Sequence, residues 1–135
     1  MRAYAAERAS LEPLTQDACA FYEDIGTYAD YRGVVLDQEE GARIGRALGA
    51  NKAVILRNHG MLTVGETVDS AAWWFLTLER TAQAQLMAYA AGTPRQIPHE
   101  AAEQTRGQVG FEFAGWFQFQ PIWERISKDN PDIFD

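Results

Sequence analysis

Four apolar residues in a row, Ala53-Val54-Ile55-Leu56, halt at Arg57-Asn58-His59-Gly60, and a second apolar run, Met61 to Val64, ends on Gly65. A short continuous apolar run bounded by turn residues reads as a buried strand. What precedes it fixes the class. Gly33 to Leu36 reads as a further short strand. Asp37 then stands where a helix N-cap should, with Glu40 three residues on. That helix should run to about Leu48, with Ile44, Ala47 and Leu48 inward and Gly49 as its left-handed stop. Strand, helix and strand in succession predict an α/β layered fold.

The clearest helix is Thr67 to Ala91. Ala71, Trp74, Phe75, Leu78, Ala82, Gln85, Leu86 and Tyr89 recur at helical spacing, with Thr67 as N-cap and Gly92 and Pro94 beyond the end. Trp73, Trp74 and Phe75 are consecutive and cannot all face one core, so one or two of them meet a second layer, a subunit or solvent. Pro98 opens another helix to about Gln108. The aromatic stretch GFEFAGWFQFQPIW alternates at Phe111, Phe113, Phe117 and Phe119, which suggests extended chain. Residues 1–10 have room for a helical turn or two before Pro13. The boundary this implies is a body over 1–110 and an aromatic segment with a polar tail over 111–135.

With 135 residues, 47% of them apolar, the chain is large enough for one ordinary core. Its net charge of −7 argues against nucleic acid or an anionic membrane as the main partner. No apolar run reaches spanning length and the first residues carry no apolar signal core, which suits a cytoplasmic protein. The single cysteine, Cys19, reads as a small buried apolar residue and excludes an internal disulfide. Only two histidines are present, His59 and His99, so three histidine ligands from one chain are arithmetically impossible.

His59 leaves three readings open. Most often a histidine near a strand end is simply packed or hydrogen-bonded. It is also the commonest nitrogen ligand for zinc, and strand ends in α/β folds face ligand crevices. A catalytic acid or base would need a partner carboxylate. Arg57 beside it suits either a phosphate or a surface ion pair. His99 follows Pro98 at a helix start and reads as solvated.

The block from Ala53 to Gly65, followed by Glu66-Thr-Val-Asp-Ser-Ala-Ala72 and a long helix, resembles the class II aldolase/adducin family. "LEPLTQDACAFYED" before it and "GWFQFQPIWERISKDNPDIFD" after it resemble the adducin-like bacterial branch, so the likeness covers nearly the whole chain. It implies a partial three-layer α/β/α sandwich around a mainly antiparallel sheet. It also implies a zinc-dependent aldehyde-lyase cleaving a ketose phosphate by retro-aldol chemistry, or an epimerase or decarboxylase in some relatives. His59 falls on the third of three histidine metal ligands. Tyr22 lies where some family aldolases carry a tyrosine acid, though a core or surface tyrosine is the commoner reading at such a position. A homo-oligomer, a tetramer in the family, is implied too.

The departure from the family pattern is large. The His-x-His pair that supplies the other two ligands is missing, and by the resemblance the chain is the C-terminal half of the domain, lacking its N-terminal half. One imidazole, even with Glu23, Asp24 or Asp30 nearby, does not make a tight zinc site. The expectation is weak or no zinc binding and negligible retro-aldol activity by this chain alone. Lost strands should leave a sheet edge and apolar helix faces exposed. The alternative is a non-enzymatic, adducin-like assembly or binding module.

Overall fold

The computed structural model describes residues 10–34 and 37–134. Among the described residues three short strands form one mixed sheet in the order β1 (Ile25–Tyr28), β2 (Ala53–Leu56), β3 (Gly60–Thr63). β1 lies parallel to β2, with Ile25 opposite Ala53 and Tyr28 opposite Leu56. β3 returns antiparallel, with Leu56 opposite Gly60 and Ala53 opposite Thr63. The helices are α1 (Gln16–Cys19), α2 (Gln38–Leu48), α3 (Val68–Ala91), α4 (His99–Val109) and α5 (Glu112–Asp129), and a 3-10 turn spans Pro131–Phe134.

The central strand explains the layering. All four residues of β2 are buried. Side chains alternate across a strand, so the two faces need separate cover. Ala53 and Ile55 join Phe21, Met61, Trp74, Leu78 and Ala82 in the main core. Val54 and Leu56 take the other face, where α2 packs over β1 and β2. Helix α2 is the crossover that two parallel strands require. The α/β layering expected from strand, helix and strand is therefore present.

One of its strands is not where the sequence suggested. Gly33 and Val34 form a bend, with Gly33 at φ +92° and Val34 exposed, while Val35 and Leu36 lie outside the described residues. The strand before α2 is Ile25–Tyr28, in a stretch that reads as irregular. Gly26 sits inside it because α2 approaches closely there: a Cβ on residue 26 would lie 2.1 Å from the Ala47 carbonyl oxygen. The helical turns expected over 1–10 fall almost wholly outside the described residues.

Helix α2 begins as expected, with Asp37 Oδ1 accepting from the Glu40 amide at 2.6 Å, and stops at Gly49, φ +58°. Helix α3 begins at a capping box. Thr67 Oγ1 accepts from the Ser70 amide at 3.1 Å, and Ser70 Oγ accepts from the Thr67 amide at 3.3 Å. Thr67→Ala is expected to lower stability by about 1 kcal/mol, a shift of a few degrees in thermal denaturation, with Thr67→Ser close to wild type. No change for Thr67→Ala would mean the cap is dispensable.

The buried line of α3 runs through Ser70, Trp74, Thr77, Leu78, Thr81, Ala82 and Gln85. Trp74 is only 1% exposed, whereas Phe75, expected inward, is 41% exposed. Three consecutive residues span most of a helical turn, and Trp74 has the core-facing position. Gln85 is tolerated inside because its Oε1 accepts from the Glu12 amide at 2.8 Å.

The aromatic stretch is helical from Glu112 onward, not extended. Glu112, Gly115, Phe119 and Ile122 recur at helical spacing on the more buried side, against α3. Gly115 is needed there, since a Cβ would lie 2.6 Å from the Trp74 ring. The parity of the phenylalanines imitates a strand, but the approach to Trp74 decides the matter. Phe113, Trp116 and Phe117 stack on the outer side and are exposed, as an uncovered apolar helix face should be. No described helix is long and apolar enough to cross a membrane.

Candidate functional site

His59 sits on the tight turn that joins β2 to β3. Its amide donates to the Leu56 carbonyl at 3.0 Å, and the Arg57 amide donates to the Tyr28 carbonyl at the end of β1 at 2.9 Å. Asn58 between them takes φ +59°, a conformation asparagine tolerates better than most residues. The turn is thus pinned to both neighbouring strands, and the side chains on either side of Asn58 are presented rather than packed. Arg57 and His59 are both exposed.

They border one cleft at the C-terminal ends of β1 and β2, lined also by Tyr28, Tyr31, Arg32, Glu40 and Ile44. In α/β sheets ligands collect at such strand ends. Two of the three charged side chains on the cleft wall are engaged by neighbours. Arg32 donates to Asp30 through Nε at 2.8 Å and Nη2 at 2.7 Å. Buried Glu40 accepts from the Tyr28 hydroxyl at 3.5 Å, and Arg43 pairs with Glu39 at 2.9 Å. Hydrogen bonding toward Tyr28 is the first cause raising the Arg43 guanidinium above its ordinary pKa, against the effect of burial.

The other residues singled out in the sequence lie elsewhere. Tyr22 precedes β1, at the opposite end of the sheet from His59, and its hydroxyl bonds His99 Nδ1 at 2.9 Å. His99 is exposed at the start of α4, as expected, but it has this partner. Asp24 does not approach His59 either. It pairs with Lys52 Nζ at 3.2 Å and with Arg106 at 3.5 Å, and accepts from the Lys52 amide at 2.9 Å. Asp30 is held by Arg32, and Glu23 is exposed on the α1–β1 connection. Cys19 is buried and unpaired as a disulfide, and burial pushes its thiol pKa up.

Lys52 was not singled out, yet it ties three segments together. Its ammonium donates to the carbonyls of Ala20, at 2.8 Å, and Gly110, at 2.5 Å, and lies 4.5 Å from the Trp74 ring centre. Burial lowers its pKa below the usual lysine range, and the Asp24 carboxylate works in the opposite direction. Every acceptor around it is structural, so Lys52 reads as a clasp between α1, β2 and the start of α5.

A catalytic or structural zinc site takes three or four protein ligands. Among the described residues no group of three or more His, Cys, Asp or Glu side chains is placed to hold a metal ion. His59 alone therefore does not fit a zinc site, and the described residues offer hydrogen bonds and charge at this cleft.

The comparisons bear on what such a cleft belongs to. The family model described as Class II Aldolase and Adducin N-terminal domain matches residues 1–86. The chain is 46% identical over 132 residues to "Decarboxylase NovR" of Streptomyces niveus, covering 98% of this chain and 49% of that protein. It is 47% identical over 132 residues to "4-hydroxy-3-prenylphenylpyruvate oxygenase/4-hydroxy-3-prenylbenzoate synthase" of Streptomyces roseochromogenus subsp. oscitans, covering 98% and 48%. The solved "L-fuculose 1-phosphate aldolase from Glaciozyma antarctica PI12" superposes with a TM-score of 0.87 at 39% identity, over 97% of this chain and 49% of that one. The chain spans about half the length of the curated relatives it matches. With most of the chain inside the family model and the strand–turn–strand of His59 followed by its long helix, the chain belongs to the class II aldolase and adducin family.

Proposed function

We propose that the chain presents the His59 face of a class II aldolase-type site that acts on the carbon skeleton of an anionic carbonyl compound. The observation that supports this is the pinned turn, which holds an exposed imidazole and guanidinium over one cleft at the strand ends. In this reading His59 stands at one ligand position of the family's divalent-metal site, whose His-x-His pair this sequence does not contain. The substrate class suggested by the solved relative's name is a sugar phosphate. Alone, the chain has negligible retro-aldol activity, because one imidazole does not fit the metal site.

Calorimetric titration with zinc tests this. Binding is expected to be weaker than about 10 µM, far below the roughly 10 kcal/mol or more of complete structural sites, and lost in His59→Ala. Tight binding that survives His59→Ala would overturn the assignment. Release of dihydroxyacetone phosphate from fuculose 1-phosphate by the purified chain would overturn the claim that it is inactive alone.

A second reading has its own support. The relatives at 46% and 47% identity carry the names decarboxylase and phenylpyruvate oxygenase. Tyr28 and Tyr31 line the cleft with aromatic surface. An aryl 2-oxo acid would then replace the sugar phosphate. Binding of such an acid in preference to a phosphate ester separates the two.

A further inference from the structure

We infer that Arg57 is the anion-recognising residue of the His59 cleft and engages the phosphate or carboxylate group of its ligand through the guanidinium fork. The inference rests on the reading that this cleft is the functional site and adds the group that selects the ligand.

The charge pattern carries it. Each of the other charged side chains at the cleft wall has a partner. Arg32 is forked onto Asp30 at 2.7 and 2.8 Å, and Glu40 accepts from the Tyr28 hydroxyl at 3.5 Å. Arg43, behind this wall, is paired with Glu39 at 2.9 Å. Among the described residues no hydrogen bond or ion pair engages the Arg57 guanidinium. It is therefore the guanidinium of the cleft wall left available to an anionic ligand, in a chain whose net charge is −7.

Position argues the same way. Arg57 is the first turn residue after β2. Its amide is fixed to Tyr28 at 2.9 Å, and the turn closes on the next residue but one through the His59 amide at 3.0 Å. A guanidinium leaving so short and pinned a turn has little backbone freedom to lose on binding. Arginine presents paired donors that match the two oxygens of a carboxylate or phosphate. Tyr28, Ile44 and Leu56 on the same wall are suited to the carbon portion of the ligand.

The probes are inorganic phosphate and phenylpyruvate, titrated into the full chain in metal-free, phosphate-free buffer with a chelator present. Wild type should bind at least one of them, with amide shifts by NMR centred on Arg57 and His59. Arg57→Ala should weaken binding at least tenfold. Arg57→Lys should recover part of it, since an ammonium keeps the charge but loses the fork. Arg46→Ala, on the exposed side of α2, should bind as wild type does. Preference for phosphate supports a phosphate ester as ligand, and preference for phenylpyruvate supports an aryl 2-oxo acid.

Absence of binding by either probe would overturn the inference, as would equal binding by Arg57→Ala. Should Arg57→Ala fail to fold, the wild-type shift map and Arg57→Lys decide: shifts away from Arg57 with unchanged Arg57→Lys affinity would overturn it. His59→Ala separates this inference from the metal assignment. It should abolish the zinc binding seen by calorimetry. Lost anion recognition with zinc still bound at His59 would sink the role of Arg57 alone, and the reverse result would sink the metal assignment alone.

Discussion

Gly26→Ala is expected to lower stability by about 3 kcal/mol, a fall of roughly 10 °C in the melting temperature. The added methyl carbon would lie 2.1 Å from the Ala47 carbonyl oxygen and 3.1 Å from its carbon. Both are backbone atoms near the end of α2, and no rotamer change relieves the clash. The strand or the helix has to move. The matched control lies on the same helix. Gly45 has nothing within 4 Å of the place its Cβ would occupy. Gly45→Ala should therefore stabilise the protein by about 0.5–1 kcal/mol, the usual gain from removing glycine inside a helix. Opposite signs from the same chemical change would establish that α2 touches β1 at Gly26. A loss below 1 kcal/mol for Gly26→Ala in urea denaturation would mean that the layers are looser than the structure has them. The cleft should respond as well, because Tyr28 belongs to β1 while Glu40 and Ile44 belong to α2.

This contact also explains what the sequence could and could not convey. Ala53 to Leu56 was legible because β2 is covered on both faces, so its apolar run is unbroken. The capping residues Asp37 and Thr67 were legible because caps act locally. β1 was hidden because Ile-Gly-Thr-Tyr carries one aliphatic side chain and a glycine whose reason lies twenty-one residues away, at Ala47. Val34, Val35 and Leu36 have the stronger strand composition, yet Val34 is exposed and Gly33 turns the chain. Helix α5 was misjudged for a related reason. Phe111, Phe113, Phe117 and Phe119 share a parity, while the positions that pack on α3 follow a helical spacing whose key member, Gly115, has no side chain.

The site divides in the same way. His59 and Arg57 stand in one contiguous motif and could be picked out from it. Tyr28, Tyr31, Glu40 and Ile44 reach the cleft from β1, from the bend after it and from α2, and only the crossover of α2 brings them together. The carboxylates considered as partners for His59 show the converse. Asp24 is close in sequence to Tyr28, but it lies at the other end of a four-residue strand, where Lys52 and Arg106 engage it. Glu40, read from the sequence only as a capping residue, is the carboxylate that lines the cleft with His59.

Trp74→Ala should have the largest effect of any single truncation, about 4–5 kcal/mol. Trp74 is 1% exposed, meets the Phe21 ring edge-to-face at 6.1 Å, and carries the Lys52 ammonium 4.5 Å from its ring centre. Gly115 is packed against the same ring, so α5 loses its seat when the indole is removed. Small domains have roughly 5–15 kcal/mol in total, so the variant should be marginal at physiological temperature. Trp74→Phe should be much milder, about 1–2 kcal/mol, because the aromatic volume is largely kept. The indole N–H is buried without a partner among the described residues, so phenylalanine forfeits no hydrogen bond there. Lys52→Met combined with Trp74→Ala should cost less than the sum of the two single changes, since Lys52 and Trp74 share a contact. Urea denaturation of wild type, the three single variants and the double variant measures all of this. Additive effects, or a Trp74→Ala loss under 2 kcal/mol, would show that α3, β2 and α5 are not joined through this side chain, and that the turn bearing His59 is held in place by other contacts.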